Sequence, residues 1–405
     1  MKHEFCCYGC WQVAETLGPP YLCPVCGEPM ALRALATPSR EIFSRRPDSL
    51  WDYFDLLPIA SRDSVVSMGE GGTPLAQAPR LGKMLGFSSL QLKNEMANPT
   101  GSFKDRQVSV GISRALELGK DTVAVVSSGN VACAAAAYAA RAGMRAVLMM
   151  HGHASPDKML QAAVYGGAVV AVDTPSAQAV FDLCIEACAE FGWYHLSTAG
   201  MYEPFNVEGA KTIAYELFAQ SGGELPDWVV APVGGGGLLG GIWRGFLDLK
   251  RLGFIGKIPK LAGAQAAGCA PLKKAVDTGT RFLETLRDPW PNPKTIAGGI
   301  ADDILFDGHT VLPAIRTTGG AAISVTDAEI LAALHELART EGLWCEPTAA
   351  AAVAALRYLP VERGKESVCC LLTGSGMKDP KPVREGLPAP LRIGPSLEEL
   401  RRELK

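Results

Sequence analysis

Residues 228–251 read WVVAPVGGGGLLGGIWRGFLDLKR, and this stretch decides the fold class. The uninterrupted apolar run at 228–231 predicts a buried strand, and residues 238–251 predict a helix. A glycine-rich turn that opens a helix presents its backbone N–H groups to an anion. We therefore predict an anion-binding loop between a parallel strand and the helix that follows it. The loop is built from four consecutive glycines: Gly234, Gly235, Gly236 and Gly237.

The spacing of these glycines also limits the ligand. Gly235, Gly237 and Gly240 formally match the dinucleotide pattern G-x-G-x-x-G, but about twenty residues further on the chain carries Lys260 and not the acidic residue that binds a ribose. Four glycines in a row suit a compact phosphate dianion at the helix N-terminus. The loop therefore favours a phosphomonoester over a pyrophosphate.

The rest of the chain repeats this alternation of strand and helix. Continuous apolar strands joined by helices are typical of parallel sheets covered on both faces, with ligands at the carboxyl ends of the strands. The predicted class is α/β. Strands are predicted at residues 122–126, 145–150, 168–172, 228–231, 260–265 and 367–372, and helices at 103–118, 131–142, 157–165, 176–191, 209–221, 238–251, 327–340 and 348–358.

Composition excludes several classes of protein. Of 405 residues, 48% are hydrophobic and 20% charged, which is enough for sizeable cores and excludes intrinsic disorder. The formal net charge of −3 argues against nucleic acid or a membrane surface as a partner. The longest apolar stretch, residues 131–150, is broken by Arg141 and Arg145, so no membrane span is expected. The first residues lack the pattern of a secretory signal, so we expect a cytoplasmic protein.

Four of the twelve cysteines form two pairs near the start of the chain, Cys7-x-x-Cys10 and Cys23-x-x-Cys26. Two such pairs bring four thiolates into the tetrahedron that structural Zn²⁺ prefers. Metal binding would fold a segment too small to build a core of its own. We predict a zinc ribbon without chemistry at the metal, since four thiolates fill its positions. Cys6 remains an alternative ligand to Cys7.

Two further motifs carry polar groups at helix starts. Lys104 follows the turn Asn98-Pro-Thr-Gly-Ser-Phe and begins a helix, where the helix dipole opposes the ammonium form and suits Schiff-base chemistry. A solvated helix lysine is the alternative. The segment Ser127-Ser128-Gly129-Asn130 ends a strand and opens a helix, which predicts a nest for a carboxylate or phosphate, with a simple N-cap as the alternative.

Together these motifs resemble those of the fold-type II pyridoxal-phosphate enzymes, and among these the chain is most similar to threonine synthases. The resemblance runs from about residue 51 to residue 380. It implies the two-domain parallel-sheet architecture of tryptophan synthase β, with a large domain of residues 36–110 and 212–405, a small domain of residues 111–211 and a zinc-ribbon-like module of residues 1–35. Its motifs are Gly69-Glu-Gly-Gly-Thr-Pro-Leu75, the Lys104 and Ser127 segments, Pro156-x-Lys158-x-x-Gln161, Glu208-Gly-x-Lys211-Thr212, the tetraglycine, Glu346-Pro347 and Thr373-Gly-x-Gly-x-Lys378-Asp379.

The resemblance also implies a role for each site residue. Lys104 would bond the aldehyde of pyridoxal 5'-phosphate, and Asn130 would donate a hydrogen bond to the phenolic oxygen. The four loop glycines would hold the phosphate. A neutral hydroxyl, from Thr373 or Ser375, would face the pyridine nitrogen. The substrate carboxylate would bind Ser127, Ser128 and Gly129, with help from Thr100. Glu346 has no assigned role.

The sequence departs from threonine synthases at residues that matter for phosphate binding. Asn206 stands where the family carries an arginine, and Asp52 replaces another basic residue. A lost charge-assisted contact is worth about 1.5–3 kcal/mol, so we expect unphosphorylated serine-like or threonine-like substrates to be preferred and Asn206→Arg to narrow the difference. Lys211 and Arg106 are alternative phosphate-binding cations.

The resulting expectation is a pyridoxal-phosphate lyase that removes the α-proton of a small amino acid and then eliminates or replaces a β or γ substituent. The alternative is threonine synthase, which converts O-phosphohomoserine to threonine and phosphate. A ribbon acting as a partner-binding module on a degenerate enzyme is disfavoured by intact Lys104 and Asn130. The resemblance implies a homodimer.

Overall fold

The computed structural model describes residues 2–43, 46–151, 156–174, 177–384, 387 and 389–404, and for residues 156–158 and 177 it describes the backbone. The strands are β1 His3–Cys6, β2 Val13–Ala14, β3 Ala31–Ala34, β4 Leu75–Gln77, β5 Leu90–Asn94, β6 Thr122–Val126, β7 Arg145–His151, β8 Ala168–Val172, β9 Tyr194–His195, β10 Trp228–Pro232, β11 Lys260–Ala266, β12 Ala321–Val325 and β13 Val368–Leu372. The α-helices are α1 Pro79–Leu85, α2 Lys104–Glu117, α3 Asn130–Ala142, α4 Pro156–Val164, α5 Ala177–Phe191, α6 Thr212–Gln220, α7 Gly237–Arg251, α8 Pro271–Thr278, α9 Phe282–Thr285, α10 Gly308–Thr318, α11 Asp327–Glu341, α12 Pro347–Ala355, α13 Lys381–Arg384 and α14 Leu397–Glu403.

The strands form three sheets. The largest has the order β12-β11-β10-β13-β5-β4 and is parallel except for β4, which pairs antiparallel to β5. A second sheet, β8-β7-β6-β9, is parallel throughout. The third, β2-β1-β3, is antiparallel and carries the paired cysteines in its loops. Two parallel sheets with helices between their strands confirm the predicted α/β class.

The large sheet is buried on both faces because its side chains alternate. Val229 of β10 and Leu371 of β13 lie in the core with α7 and α10, whereas Val230 and Leu372 lie in the core with α11 and α12. The buried alanines of α12 bring that helix close to the sheet. Uninterrupted apolar sequence in these strands is the consequence of burial on two faces.

Several elements differ from the prediction. The domain boundary placed after residue 110 falls inside α2, which is a continuous helix buried over most of its length. The predicted helix 209–221 is an α-helix only from Thr212, after a 3-10 turn at Asn206–Lys211. Strand β5 was missed because its sequence, LQLKN, lacks the apolar run that predicts a buried strand.

The amino-terminal sheet packs on the rest of the chain through buried polar and aromatic contacts. Tyr8 lies edge-on to Trp243 of α7, with ring centroids 5.1 Å apart. Lys211 donates to the carbonyl oxygen of Leu32 at 3.3 Å while pairing with Asp248 at 3.1 Å. Among the described residues, no helix has the length and apolar character needed to cross a bilayer.

A fully buried ion network joins α2, α6 and β5. Arg106 of α2 donates to Glu95 at 2.7 Å and to Glu216 of α6 at 2.5 Å, and Lys93 of β5 donates to Glu216 at 2.6 Å. All four side chains have no solvent exposure. The two cations hold the pKa of Glu216 at about 2 against the opposing effect of burial. Removing one member leaves the others buried without a partner.

We predict that Glu216→Gln lowers the free energy of unfolding by about 3–5 kcal/mol, because Arg106 and Lys93 then lose a buried counter-charge. Chemical denaturation measures the change. The control is Asp277→Asn, which breaks an exposed pair with Lys273 on α8 and should cost less than about 1 kcal/mol. Equal costs for the two variants would show that the buried network does not constrain the fold.

Candidate active site

The largest cavity described, about 780 Å³, lies at the carboxyl ends of three parallel strands. Segment 127–130 follows β6, the tetraglycine follows β10, and Thr373 follows β13. Parallel strands deliver the residues that follow them to one edge of a sheet, and two sheets meet at this cavity. The described lining includes most of the predicted site: Lys104, Ser127, Ser128, Gly129, Asn130, Gly234, Gly235, Gly236, Gly237 and Thr373.

Lys104 is the first residue of α2 and points its amine into the cavity. Its Nζ donates to the Thr198 hydroxyl at 3.1 Å and to Gln107 Oε1 at 3.2 Å. Burial lowers the pKa of Lys104 from 10.5 to about 8, although the nearby carboxylates of Asp302 and Asp307 act in the opposite direction. A substantial fraction of the amine is therefore neutral and nucleophilic near neutral pH.

Asn130 begins α3 on the opposite side of the cavity. Its Nδ2 donates to both carboxylate oxygens of Glu346, at 3.0 and 3.2 Å. Glu346, which sequence analysis left without a role, thus fixes the orientation of the Asn130 side chain. In the turn before α3, the Gly129 amide donates to the Ser127 hydroxyl at 3.1 Å. This compact turn lies where a carboxylate can meet a helix N-terminus.

The tetraglycine opens α7 as predicted. Gly236 has φ of +105°, a left-handed conformation that favours glycine. Asp302 lies close against the loop: its carboxylate accepts from the Gly235 amide, and a Cβ on Gly234 would fall 2.4 Å from Asp302 Oδ2. Any side chain at position 234 would therefore collide with this carboxyl.

The structure separates the two candidates for the pyridine nitrogen. The Thr373 hydroxyl is buried, lines the cavity and has no hydrogen-bond partner among the described residues. Ser375 is not part of the cavity wall, because its hydroxyl caps a 3-10 turn by accepting from the Met377 amide. A buried hydroxyl without a partner is costly unless a ligand supplies one, which favours Thr373.

Thr100 is not brought into the cavity. Its hydroxyl and amide both donate to the Asp105 carboxylate, and its carbonyl oxygen accepts from Lys378 Nζ at 2.9 Å. All three polar groups of Thr100 are thus engaged away from the predicted substrate site. The expected contribution of Thr100 to carboxylate binding is therefore corrected.

The residues on which we based the substrate preference lie elsewhere as well. Asn206 is fully buried, where it accepts from the Tyr194 hydroxyl at 3.0 Å and donates to the carbonyl oxygen of Ser197 at 2.8 Å. Asp52 accepts from the Asp48 amide on the surface. Neither lines the described cavity. Asn206→Arg would therefore insert a charge into a packed interior and not restore a phosphate contact.

The alternative phosphate-binding cations are also committed. Arg106 binds Glu95 and Glu216 in the buried network, and Lys211 binds Glu208 and Asp248. The side chain of Lys158, in a motif used for the resemblance, lies outside the described residues. Sequence reasoning assigned no role to Lys378, which lines the cavity and donates to Gln161 Oε1 at 2.6 Å.

Two acidic residues of the cavity were missed altogether. Asp302 and Asp307 come from the long segment between α9 and α10, where no periodic pattern marks a site. Asp307 accepts from the Gly200 amide at 2.7 Å, and burial raises its pKa to about 7. Burial also raises the pKa of Asp302. A paired Asp-Asp at 302–303 beside a glycine-rich segment was the one available signal.

The four paired cysteines are gathered at one point of the antiparallel sheet. Sγ of Cys7 lies 3.4 Å from Sγ of Cys26, and Sγ of Cys10 lies 3.5 Å from Sγ of Cys23. All four sulfurs lie within 4.8 Å of one another. Tetrahedral Zn–S bonds of about 2.3 Å imply sulfur separations of about 3.8 Å. Cys6 lies outside this cluster and turns its thiol toward the Cys7 carbonyl.

Comparison with known proteins now decides the family. Residues 66–374 match the family described as "Pyridoxal-phosphate dependent enzyme". The chain belongs to this family. Within it, the chain is 38% identical over 374 residues to threonine synthase of Methanocaldococcus jannaschii, which covers 91% of this chain and 90% of that protein. It is 39% identical over 358 residues to threonine synthase of Methanosarcina acetivorans, covering 87% and 86%.

Solved structures of pyridoxal-phosphate enzymes share the fold. A bacterial threonine deaminase, from the source abbreviated "T.th.", superimposes with a TM-score of 0.63 and 28% identity, over 75% of this chain and 92% of that one. Maize serine racemase gives a TM-score of 0.64 at 21% identity, over 82% and 92%. The predicted fold-type II architecture and the assignment to a pyridoxal-phosphate dependent enzyme are confirmed.

The cavity fits the family's cofactor. A glycine loop at a helix N-terminus suits its phosphate, the unpartnered Thr373 hydroxyl suits a ring nitrogen, and Lys104 offers an amine with a lowered pKa. These three features lie on different strands and helices, yet they line one cavity.

We predict that the rate of covalent cofactor attachment to apoprotein rises with pH and reaches half its maximum near pH 8. The reason is that only the neutral amine of Lys104 attacks the aldehyde, and its pKa is lowered to about 8 from 10.5. Stopped-flow absorption after mixing with pyridoxal phosphate measures this rate.

Lys104→Ala should abolish attachment, while Lys83→Ala, an exposed lysine of α1, should leave it unchanged. A borohydride-reducible link in the Lys104 variant, or a midpoint above about pH 10, would show that Lys104 is not the attachment residue.

Proposed function

We propose that the protein is a threonine synthase that converts O-phosphohomoserine and water to threonine and inorganic phosphate. The observation that carries the chemistry is the Lys104 amine, which has a pKa of about 8 and faces both the glycine loop and the turn at residues 127–130. The threonine synthase relatives, at 38–39% identity over nearly the whole chain, support this reaction over the simple elimination that the sequence favoured.

Pyridoxal phosphate, when bound, supplies the electron sink that makes the α-proton of an amino acid acidic. We assign its phosphate to the amides of residues 234–237, its ring nitrogen to the Thr373 hydroxyl and its phenolic oxygen to Asn130. The Glu346 carboxylate orients that asparagine through two hydrogen bonds to Nδ2. A neutral hydroxyl at the ring nitrogen leaves the ring a weaker electron sink than a carboxylate partner would.

The remaining groups bind substrate and move protons. The amides and hydroxyls of residues 127–129 receive the substrate carboxylate at the start of α3. Once the substrate amine displaces Lys104, its Nζ accepts the α-proton, and Thr198 and Gln107 hold the amine in position. A pKa of about 8 lets this amine both accept and return a proton near neutral pH.

Lys378 is the residue that we assign to the substrate phosphate. Apart from Lys104, it is the lysine or arginine that the described lining of the cavity contains. Its amine already binds Gln161 and the carbonyl oxygen of Thr100, which hold it at the cavity wall. An ammonium has three N–H donors, so one remains for a phosphate oxygen.

The test compares substrates on purified holoenzyme. We expect kcat/KM for O-phosphohomoserine, followed by release of threonine and phosphate, to exceed the values for serine and threonine, followed by release of ammonia. Lys378→Gln should raise KM for O-phosphohomoserine about tenfold or more, because a charge-assisted contact is lost.

The matched control is Lys365→Gln, an exposed lysine far from the cavity in sequence and absent from its lining. It should leave every constant unchanged. If Lys378→Gln alters KM equally for phosphorylated and unphosphorylated substrates, Lys378 does not bind the phosphate.

A second candidate function is deamination of serine or threonine, and one observation favours it. Four carboxyl groups belong to the described lining of the cavity, from Asp302, Asp307, Glu346 and Asp379, against the two lysines. Such a balance disfavours a phosphate dianion and tolerates an unphosphorylated hydroxy amino acid. Ammonia release from serine or threonine without conversion of O-phosphohomoserine would establish this candidate and reject the first.

For the cysteine cluster we propose one structural zinc ion per chain, held by Cys7, Cys10, Cys23 and Cys26. The sulfur separations support this ligand set. Metal analysis of protein purified without chelator should find one zinc, and Cys10→Ser should lose it with little effect on cofactor absorption, because metal binding folds the ribbon and not the cavity.

Cys6→Ser provides the control, since Cys6 lies outside the cluster. Protein without zinc, or zinc that depends on Cys6 and not on Cys7, would overturn this assignment.

A further inference from the structure

A second cavity, of about 450 Å³, lies between the amino-terminal sheet and α2. We call it the ribbon pocket. Its apolar wall includes an aromatic cluster in which Phe5 stacks on Tyr21 at 5.8 Å and Phe205 lies edge-on to both. Ile59 and Leu118 close other sides. Aromatic rings that line an open cavity offer a large contact area to an apolar ligand group.

Two oppositely charged side chains enter the same pocket. Glu203 is only 7% exposed and accepts from the Phe205 amide at 3.2 Å. Arg114 of α2 lies over the ring of Phe205, 4.9 Å from its centroid. Both charges act on the pKa of Tyr21, which Glu203 raises and Arg114 lowers. The anion and the cation therefore flank one aromatic surface.

Arg114 retains capacity to bind an anion. One of its five N–H groups donates to Glu117 at 2.5 Å, and that carboxylate also accepts from the amides of Ala60 and Ser61. Glu117 thus fixes the guanidinium in place, with further N–H groups left for a ligand. A buried carboxylate paired with a held guanidinium, across an apolar surface, matches a zwitterion with an apolar substituent.

We propose that the ribbon pocket binds a free α-amino acid with an apolar side chain. Its ammonium group binds Glu203, its carboxylate binds Arg114, and its side chain packs on Phe5, Tyr21 and Phe205. The ligand is distinct from the substrate because no residue of the ribbon pocket lines the larger cavity.

A chain of contacts leads from this pocket to Lys104. Glu203 is hydrogen-bonded to the Tyr194 hydroxyl, which also contacts Asn206 Oδ1 at 3.0 Å. Asn206 in turn donates to the carbonyl oxygen of Ser197, and the neighbouring Thr198 hydroxyl accepts from Lys104 Nζ. A ligand that draws Glu203 toward its ammonium group alters the first of these contacts, so occupancy of the pocket should change the environment of the Lys104 amine.

The binding test uses calorimetry on the holoenzyme with L-phenylalanine as the probe. Phenethylamine lacks the carboxylate and 3-phenylpropanoate lacks the ammonium group, so each should bind at least about tenfold more weakly. Glu203→Gln and Arg114→Gln should each weaken L-phenylalanine binding by a similar factor. Glu190→Gln and Arg141→Gln, exposed residues of α5 and α3, are the matched controls and should bind normally.

The cofactor's visible absorption separates the two cavities, because an amino acid that enters the larger one meets the cofactor. Binding that perturbs this absorption to the same extent in wild type and Glu203→Gln, with unchanged affinity, means binding at the substrate site alone and overturns the proposal. So does equal affinity for all three probes. A failure of the proposed reaction with O-phosphohomoserine leaves these outcomes readable, since none depends on turnover.

Coupling is tested with Tyr194→Phe, which removes the hydroxyl between Glu203 and Asn206. We expect this variant to bind L-phenylalanine normally, while the several-fold change in substrate KM that the ligand causes in wild type is lost. A wild-type KM that is insensitive to saturating L-phenylalanine would overturn the coupling.

Discussion

The position of the reactive amine depends on charges buried two residues away from it. Arg106 lies in the first turn of α2, two residues after Lys104, and its guanidinium is held between Glu95 and Glu216. Uncompensated burial of any of these groups costs several kcal/mol, so the arrangement persists only while α2, β5 and α6 keep their mutual positions. Apolar packing alone tolerates sliding, whereas paired charges specify one register. The lysine is thereby carried to the cavity by a helix that cannot shift without separating ions in a medium of low polarity.

Glu346 and Asn130 extend the same logic across the cavity. They stand at the starts of α12 and α3, which pack on different sheets, and two hydrogen bonds join them. The side chain of Asn130 could otherwise rotate freely at the start of its helix. Anchoring by a carboxylate selects the amide orientation in which the Nδ2 group faces Glu346 and the oxygen faces elsewhere. Groups supplied by separate sheets are thus held at fixed orientation, and any relative motion of the sheets is felt at this bond.

Local patterns predicted those features that depend on nearest neighbours in sequence. The tetraglycine, Lys104 and Asn130 each stand at a strand-to-helix or turn-to-helix junction, which periodicity and glycine content reveal. The competition between Thr373 and Ser375 needed three dimensions, because a step of two residues separates a cavity hydroxyl from a capping hydroxyl. Asn206 misled for a similar reason: a polar residue in a family motif indicates where the chain differs but not which way the side chain points. Asp302 was missed because it reaches the loop from a segment without regular structure.

Asp302 also exposes a conflict that the cavity must resolve. Its carboxyl accepts from the Gly235 amide, one of the few donors that the loop offers to a phosphate. Two anions cannot share that donor at close range without strong repulsion. Either the carboxyl turns away or it takes up a proton when a phosphate binds, and burial, which already raises the pKa of Asp302, lowers the cost of protonation. The same protonation reduces the negative charge facing Lys104 and so removes one of the influences that keep its amine charged. Phosphate binding at the loop and proton release from the lysine are therefore linked through a single carboxyl group.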